Sequence, residues 1–90
     1  MRHIILLALF TSLISACSSN DIEVDVRKSE SHYRAAMEFA QLSLFKNAAD
    51  EFDLAIKLNP KNPNIYRKKG LVLFAIGRFD EAKINFEKAI

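Results

Sequence analysis

An internal period of 34 residues limits how this chain can fold. When the sequence is shifted by 34 positions against itself, five identical apolar pairs coincide between residues 45 and 56, and the positions between them differ. The pairs are Phe45/Phe79, Ala48/Ala82, Phe52/Phe86, Ala55/Ala89 and Ile56/Ile90. Agreement restricted to one apolar stripe is typical of a structural unit that stacks on a copy of itself.

Each unit predicts two helices joined by a short turn. Apolar residues recur at spacings of three or four through both halves of each unit, which is the helical period. Asn59-Pro60 ends a helix and Asn62-Pro63 begins the next, with proline at a position where its missing N–H is tolerated. The predicted helices cover residues 29–42, 45–58 and 63–76, with a fourth that starts near residue 79 after Gly77.

Small and large apolar residues alternate in a way that predicts close helix packing. Ala36 and Gly70 occupy the same position in the two units, in the middle of the first helix of each. Glycine inside a helix costs about 1 kcal/mol relative to alanine, so Gly70 indicates that another side chain approaches the helix closely. We expect Phe52 and Phe86 to fill the space between the helices.

Charged residues add little to the prediction of fold or function. The net charge is +2, from 13 basic and 11 acidic residues, and this balance does not indicate a nucleic-acid partner. The spacing predicts ion pairs one helical turn apart, between Glu30 and Arg34 and between Asp53 and Lys57, worth a few tenths of a kcal/mol each.

The two units resemble tetratricopeptide repeats. The residues that carry the resemblance are Ala36, Phe39, Phe45, Ala48, Phe52, Ala55 and Pro60 in the first unit and Gly70, Gly77-Arg78-Phe79-Asp80-Glu81-Ala82, Phe86 and Ala89 in the second. Two positions depart from the family pattern: His32 replaces a large aromatic residue, and Ser43 replaces a glycine. The resemblance implies an all-α solenoid of about two repeats and four helices, with unit 1 at residues 29–62 and an incomplete, uncapped unit 2 at residues 63–90.

The resemblance also implies a concave groove, lined by the first helix of each repeat, that binds a peptide or a helix of another protein. The residues expected in this groove are Tyr33, Met37, Gln41, Arg67, Leu71 and Phe74, with Glu30 and Asn64 beside them. The alternative is that the apolar members of this set only pack the helices together. Exposed apolar patches tend to mark interfaces, which favours the groove.

The N-terminus has the layout of a secretory signal peptide. A positive charge at Arg2 precedes the apolar run of residues 4–14, and Ser15-Ala16 supplies small residues for cleavage. A membrane-spanning helix needs about 20 apolar residues, so the run is too short for a permanent anchor. We predict a signal peptide over residues 1–16.

The chain has one cysteine, Cys17, and it stands directly after this segment. Ile14-Ser15-Ala16-Cys17 resembles the lipobox of bacterial lipoproteins, which implies cleavage before Cys17 and acylation of that residue. Two or more acyl chains give stable membrane anchoring. The alternative is ordinary cleavage that leaves a free thiol. Residues 17–28 are then the lipidated cysteine and a flexible tether, and serine rather than aspartate at position 18 favours the outer membrane, facing the periplasm.

The sequence offers no arrangement of catalytic residues. His32 has no nucleophile or metal-ligand pattern around it, and Asp50 and Asp53 are explained by a solvated helix face. The run Arg67-Lys68-Lys69 spreads over more than half of a helix circumference, which does not favour nucleic-acid binding. We therefore predict that the protein is not an enzyme and needs no cofactor or metal.

Together these features predict a membrane-anchored interaction module of the bacterial cell envelope. It would recruit or stabilise periplasmic partners, as tetratricopeptide lipoproteins do in pilus assembly and in scaffolding of cell-wall enzymes. Two alternatives stay open. The chain could be a structural subunit that self-associates into a homo-oligomer, or the N-terminal part of a longer tetratricopeptide protein, including one with a catalytic domain beyond Ile90.

Overall fold

The computed structural model describes the backbone of residues 2–90 and the side chains of residues 21–90. Its helices are α1 (Arg2–Gln41), α2 (Phe45–Leu58), α3 (Pro63–Ala75) and α4 (Phe79–Lys88). Within the described residues every regular element is a helix, and consecutive helices pack on one another in chain order. The predicted all-α class with two helical hairpins is therefore confirmed.

The helix boundaries in the two units agree with the start and stop signals predicted from the sequence. Helix α2 has the predicted bounds, and α3 ends one residue before the predicted Ile76, which forms its C-terminal cap. The side-chain oxygen of Asn62 accepts a hydrogen bond from the backbone N–H of Asn64 at 3.0 Å and so caps α3. Helix α2 begins after Leu44 without a side-chain cap.

The first helix differs from the prediction at its N-terminal side. The sequence predicted a flexible tether for residues 17–28, but residues 21–28 continue α1 and all their side chains are exposed. A helix extends readily from a packed segment because each added residue gains a hydrogen bond, and residues 18–28 contain neither glycine nor proline. Glu23 and Arg27 also pair across one turn at 2.7 Å. That residues 17–28 act as a spacer stays a prediction.

The turns inside the two hairpins are copies of each other. Ser43 has φ 58° and Gly77, which lies 34 positions later, has φ 82°. The N–H groups of Leu44 and Arg78 each donate to a carbonyl five residues earlier, at 2.9 Å in both turns. The departure from the family pattern at Ser43 therefore keeps the left-handed backbone that glycine normally supplies.

The core lies where α1, α2 and α3 meet. Its buried members are Ala36, Ala48, Ala49, Phe52, Ala55, Ile65 and Val72. The ring of Phe52 is fully buried and meets the ring of Tyr33 edge to face, with 5.8 Å between centroids. The Ser29 hydroxyl, also buried, donates to the carbonyl of Ala55 at 2.7 Å and ties α1 to the end of α2.

The second unit repeats the contact between a small residue and a phenylalanine. A Cβ atom placed on Gly70 would lie 2.7 Å from Cε1 of Phe86, which is closer than real Cβ contacts. The predicted close approach at Gly70 is therefore confirmed, and Phe86 is its partner. Phe86 is half-buried whereas Phe52 is fully buried.

Candidate functional site

Two cavities open between the first helices of the units, α1 and α3. The first has a volume of about 310 Å³ and a largely polar rim. Its lining residues are Ser29, Glu30, Tyr33, Arg34, Asn62, Asn64 and Ile65. Tyr33 forms one wall with its ring while the same ring packs on the core, so this side chain both supports the fold and faces the opening.

The second cavity is smaller, at about 190 Å³, and mostly apolar. Met37 and Leu71 face each other across it, from α1 and α3 respectively. Its remaining lining residues are Ala40, Phe45, Phe52, Lys68 and Val72. Leu71 is 52% exposed although it is a leucine in the middle of a helix. This cavity can accept an apolar side chain of a partner, with the Lys68 side chain in its wall.

The structure distributes the six predicted groove residues over several locations. Tyr33 lines the first cavity, and Met37 and Leu71 line the second. Gln41 and Arg67 are exposed and line neither of them. Phe74 lies elsewhere: its ring meets the ring of Phe79 at 5.0 Å between centroids, and it shares a third cavity with residues of α4.

Polar contacts join both α1 and α3 to α2. The Lys69 ammonium lies 2.5 Å from a carboxylate oxygen of Asp53, which links α3 to α2. His32 Nδ1 lies 2.6 Å from a carboxylate oxygen of Glu51, which links α1 to α2. Neither contact was predicted from the sequence. Both contacts join α2 to a helix that lines the two cavities.

The intrahelical pairs predicted from the sequence do not form in the described side chains. The ion pairs found there are Glu23–Arg27, His32–Glu51, Asp53–Lys69 and Arg78–Glu81. Asp53 bonds to Lys69 of the neighbouring helix rather than to Lys57 of its own. An interhelical partner is better placed here because the Lys69 side chain is mostly buried, with 19% exposed, and its ammonium needs a counter-charge.

The part of the chain with described side chains contains no group of three or more His, Cys, Asp and Glu residues that could hold a metal ion. In the same part, no helix has both the length and the hydropathy needed to cross a membrane. The predicted signal peptide of residues 1–16 and the predicted lipidation site Cys17 lie outside the residues with described side chains.

Comparison with known proteins agrees with the repeated hairpins. A family model for the tetratricopeptide repeat matches residues 29–62 and, a second time, residues 63–90. An uncharacterized protein of Methanocaldococcus jannaschii is 28% identical over 69 residues, which span 77% of this chain and 80% of that protein. The name of this relative states no activity or partner, so the comparison assigns neither to this chain.

Proposed function

Because the chain belongs to the tetratricopeptide-repeat family, we propose that it is a membrane-anchored adaptor of the bacterial envelope. Acylated Cys17 holds it at the membrane, and the surface between α1 and α3 binds a segment of a protein partner. In this proposal the adaptor faces the periplasm from the outer membrane. It recruits or stabilises partners of the kind found in pilus assembly or in cell-wall enzyme scaffolds.

The observation that carries the proposal is the apolar cavity between Met37 and Leu71. A monomeric protein gains nothing from leaving half of a leucine side chain in water beside an open apolar cavity, whereas an interface buries both. Burying apolar area contributes about 25 cal/mol per Å². Burial of a single apolar side chain of the partner in this cavity would therefore contribute to the free energy of binding.

In this proposal the polar groups of the same surface orient the bound segment of the partner and add little to its affinity. Arg67 lies one helical turn before Leu71 and is exposed, and Lys68 stands in the wall of the second cavity. The first cavity offers the amides of Asn62 and Asn64 and the carboxylate of Glu30. These groups can bond to the backbone of an extended or helical segment while the apolar side chain is buried.

The anchoring half of the proposal is supported by the sequence Ile14-Ser15-Ala16-Cys17 at the end of a short apolar run. Cys17→Ser tests it, since serine cannot form the thioether on which the later cleavage and acylation depend. We expect the wild-type chain to incorporate an acyl label in a bacterial host and to sediment with membranes. Cys17→Ser should incorporate none and accumulate as the uncleaved precursor. Equal acyl labelling of both chains would end this half of the proposal.

The binding half is tested by photo-crosslinking in intact cells. A photoreactive residue in place of Leu71 is expected to capture a protein partner, since Leu71 borders the proposed site. Leu54 is the matched control, because it is a leucine of α2 with 43% exposure, similar to the 52% of Leu71, and it lines neither cavity. Equal capture from both positions would contradict a site between α1 and α3.

A second variant distinguishes specific capture from collision. Arg67→Glu reverses the charge beside Leu71 at an exposed position, so it should reduce the adduct at position 71 without loss of helicity.

The same experiment distinguishes the alternative in which the chain self-associates. If the adduct joins two copies of this chain, and light scattering shows a stable dimer, the protein is a structural subunit rather than an adaptor.

A further inference from the structure

Met37 connects the core of the first hairpin to the apolar cavity between α1 and α3. Its side chain packs against the buried cluster that contains Phe52 and Val72, and it also lines the cavity opposite Leu71. Met37 is half-buried, and the chain has one other methionine, Met1. A thioether that solvent reaches is open to oxidation. Met37 therefore gives this surface a side chain that an oxidant can modify.

The cavity also has a cation in its wall. Lys68 is charged, whereas the other residues that line the cavity are apolar. The neighbouring Lys69 pairs with Asp53, but Lys68 forms no ion pair with any side chain that the structure describes. An ammonium group has three N–H donors. Lys68 can therefore donate a hydrogen bond to an oxygen atom that is introduced into the cavity.

Given the partner-binding role proposed for this cavity, on which the step depends, we infer that Met37 is a modification site. Oxidation of its thioether by a peroxide switches off binding of the partner. A lone pair of the sulfur attacks one oxygen of hydrogen peroxide, an S–O bond forms, the O–O bond breaks and the second oxygen leaves as water. The sulfur loses the two electrons that the peroxide gains, and the product is methionine sulfoxide.

The sulfoxide changes what the cavity accepts. A thioether is apolar and adapts its shape to a bound side chain, whereas the sulfoxide is polar and carries an additional oxygen. In a cavity of about 190 Å³ that oxygen accepts a hydrogen bond from the Lys68 ammonium. An apolar side chain of the partner then has to break this bond and leave a polar group buried, which is unfavourable.

The position of Met37 allows the modification to occur in the folded protein. Phe52, which lines the same cavity, has no exposed surface, whereas Met37 is partly exposed. Oxygen is therefore added at the edge of the core rather than inside it. The modification is also reversible, because a methionine sulfoxide reductase removes the oxygen as water while a dithiol is oxidised to a disulfide.

Oxidation of the purified full chain tests the modification site. The chain is treated with hydrogen peroxide, the peroxide is removed with catalase, and proteolytic fragments are analysed by mass spectrometry. We expect one added oxygen on Met37 while the circular dichroism stays helical. Oxidation of Met37 that requires prior unfolding in urea, or loss of helicity on oxidation, would overturn the inference.

Melting temperatures test the contact with Lys68. Oxidation should lower the melting temperature by about 4 °C more in Lys68→Leu than in the unsubstituted chain, because the sulfoxide then lacks its hydrogen-bond donor. Lys57→Leu is the matched control, since Lys57 is an exposed lysine of α2 that lines neither cavity. An equal decrease in all three chains would contradict the contact, and the inference with it.

Photo-crosslinking in intact cells tests the effect on binding. With the photoreactive residue at position 71, exposure of the cells to hydrogen peroxide should reduce the adduct by more than about fivefold. In Met37→Leu, which has no thioether at this position, peroxide should leave the adduct at that variant's own untreated level. An equal reduction in both chains, or none in either, is the result that rules out a switch at Met37.

The same experiment distinguishes failure of this site from failure of the proposed function. An adduct that forms in untreated cells and is unchanged by peroxide contradicts the oxidation site alone and leaves the adaptor in place. If no adduct forms before any treatment, the proposed function is wrong, and the switch at Met37 is ruled out with it.

Discussion

Phe52 and Phe86 occupy the same position in consecutive repeats, yet their surroundings differ. Phe52 is enclosed by α1, α2 and α3 and has no exposed surface, whereas Phe86 packs on Gly70 and is only half-buried. Among the described residues, the difference follows from α3, whose Ile65 and Val72 join the buried cluster around Phe52.

The comparison predicts a large difference between two identical substitutions. Phe52→Ala should cost about 3–5 kcal/mol of unfolding free energy, because it leaves a cavity in a closed core. Phe86→Ala should cost about 1–2 kcal/mol, because part of that ring is already in water. Urea denaturation of the full chain, followed by circular dichroism, measures both. Equal losses would mean that the ring of Phe86 is enclosed as completely as the ring of Phe52.

Exchanging the residues at the two equivalent turn positions, Ser43 and Gly77, should change the stability by a smaller amount. Gly77→Ser should destabilise the protein by about 1 kcal/mol, because it places a side chain at a left-handed backbone position. Ser43→Gly should stabilise it by less than that, since relief of strain is offset by the greater freedom of glycine in the unfolded chain. Thermal unfolding of the two single variants checks the signs. If both substitutions destabilise the protein, Ser43 makes a compensating contact that its backbone angle does not reveal.

The smallest expected effect concerns the ion pair that links the hairpins. A double-mutant cycle on Asp53 and Lys69, each changed to alanine, should give a coupling free energy of about 0.2–1 kcal/mol, because Asp53 is 56% exposed. The coupling should fall with added salt. The matched cycle on Asp53 and Lys57, the pair predicted from sequence spacing, should give a value near zero. A larger coupling to Lys57 would show that Asp53 pairs within its own helix in solution.

The repeat period made most of the fold predictable. Helix α2 has its predicted bounds because Phe45, Ala48, Phe52 and Ala55 mark one face at helical spacing and Asn59-Pro60 ends it. The role of Gly70 was predictable for the same reason. A glycine inside a helix lowers stability, which indicated a close packing contact, and the repeat pattern indicated Phe86 as the neighbouring side chain. Local spacing and residue size were sufficient where the determining contacts repeat with the sequence.

The contacts between helices were not predictable in the same way. Ser29 to Ala55, His32 to Glu51 and Asp53 to Lys69 each join residues that are far apart along the chain. These pairings depend on the relative rotation of packed helices, which no local pattern encodes. Spacing along one helix instead suggested Asp53 with Lys57. Of the groove residues, Phe74 was assigned by helical position, and its contact with Phe79 depends on the turn that follows it.

Helix α3 belongs to both hairpins at once. One side of it supplies Ile65 and Val72 to the first hairpin, and Gly70 seats the ring of Phe86 in the second. If α3 unfolds, the contacts that bury Phe52 and the contact between Gly70 and Phe86 are lost together. The two hairpins are therefore expected to unfold together in one cooperative transition rather than one after the other.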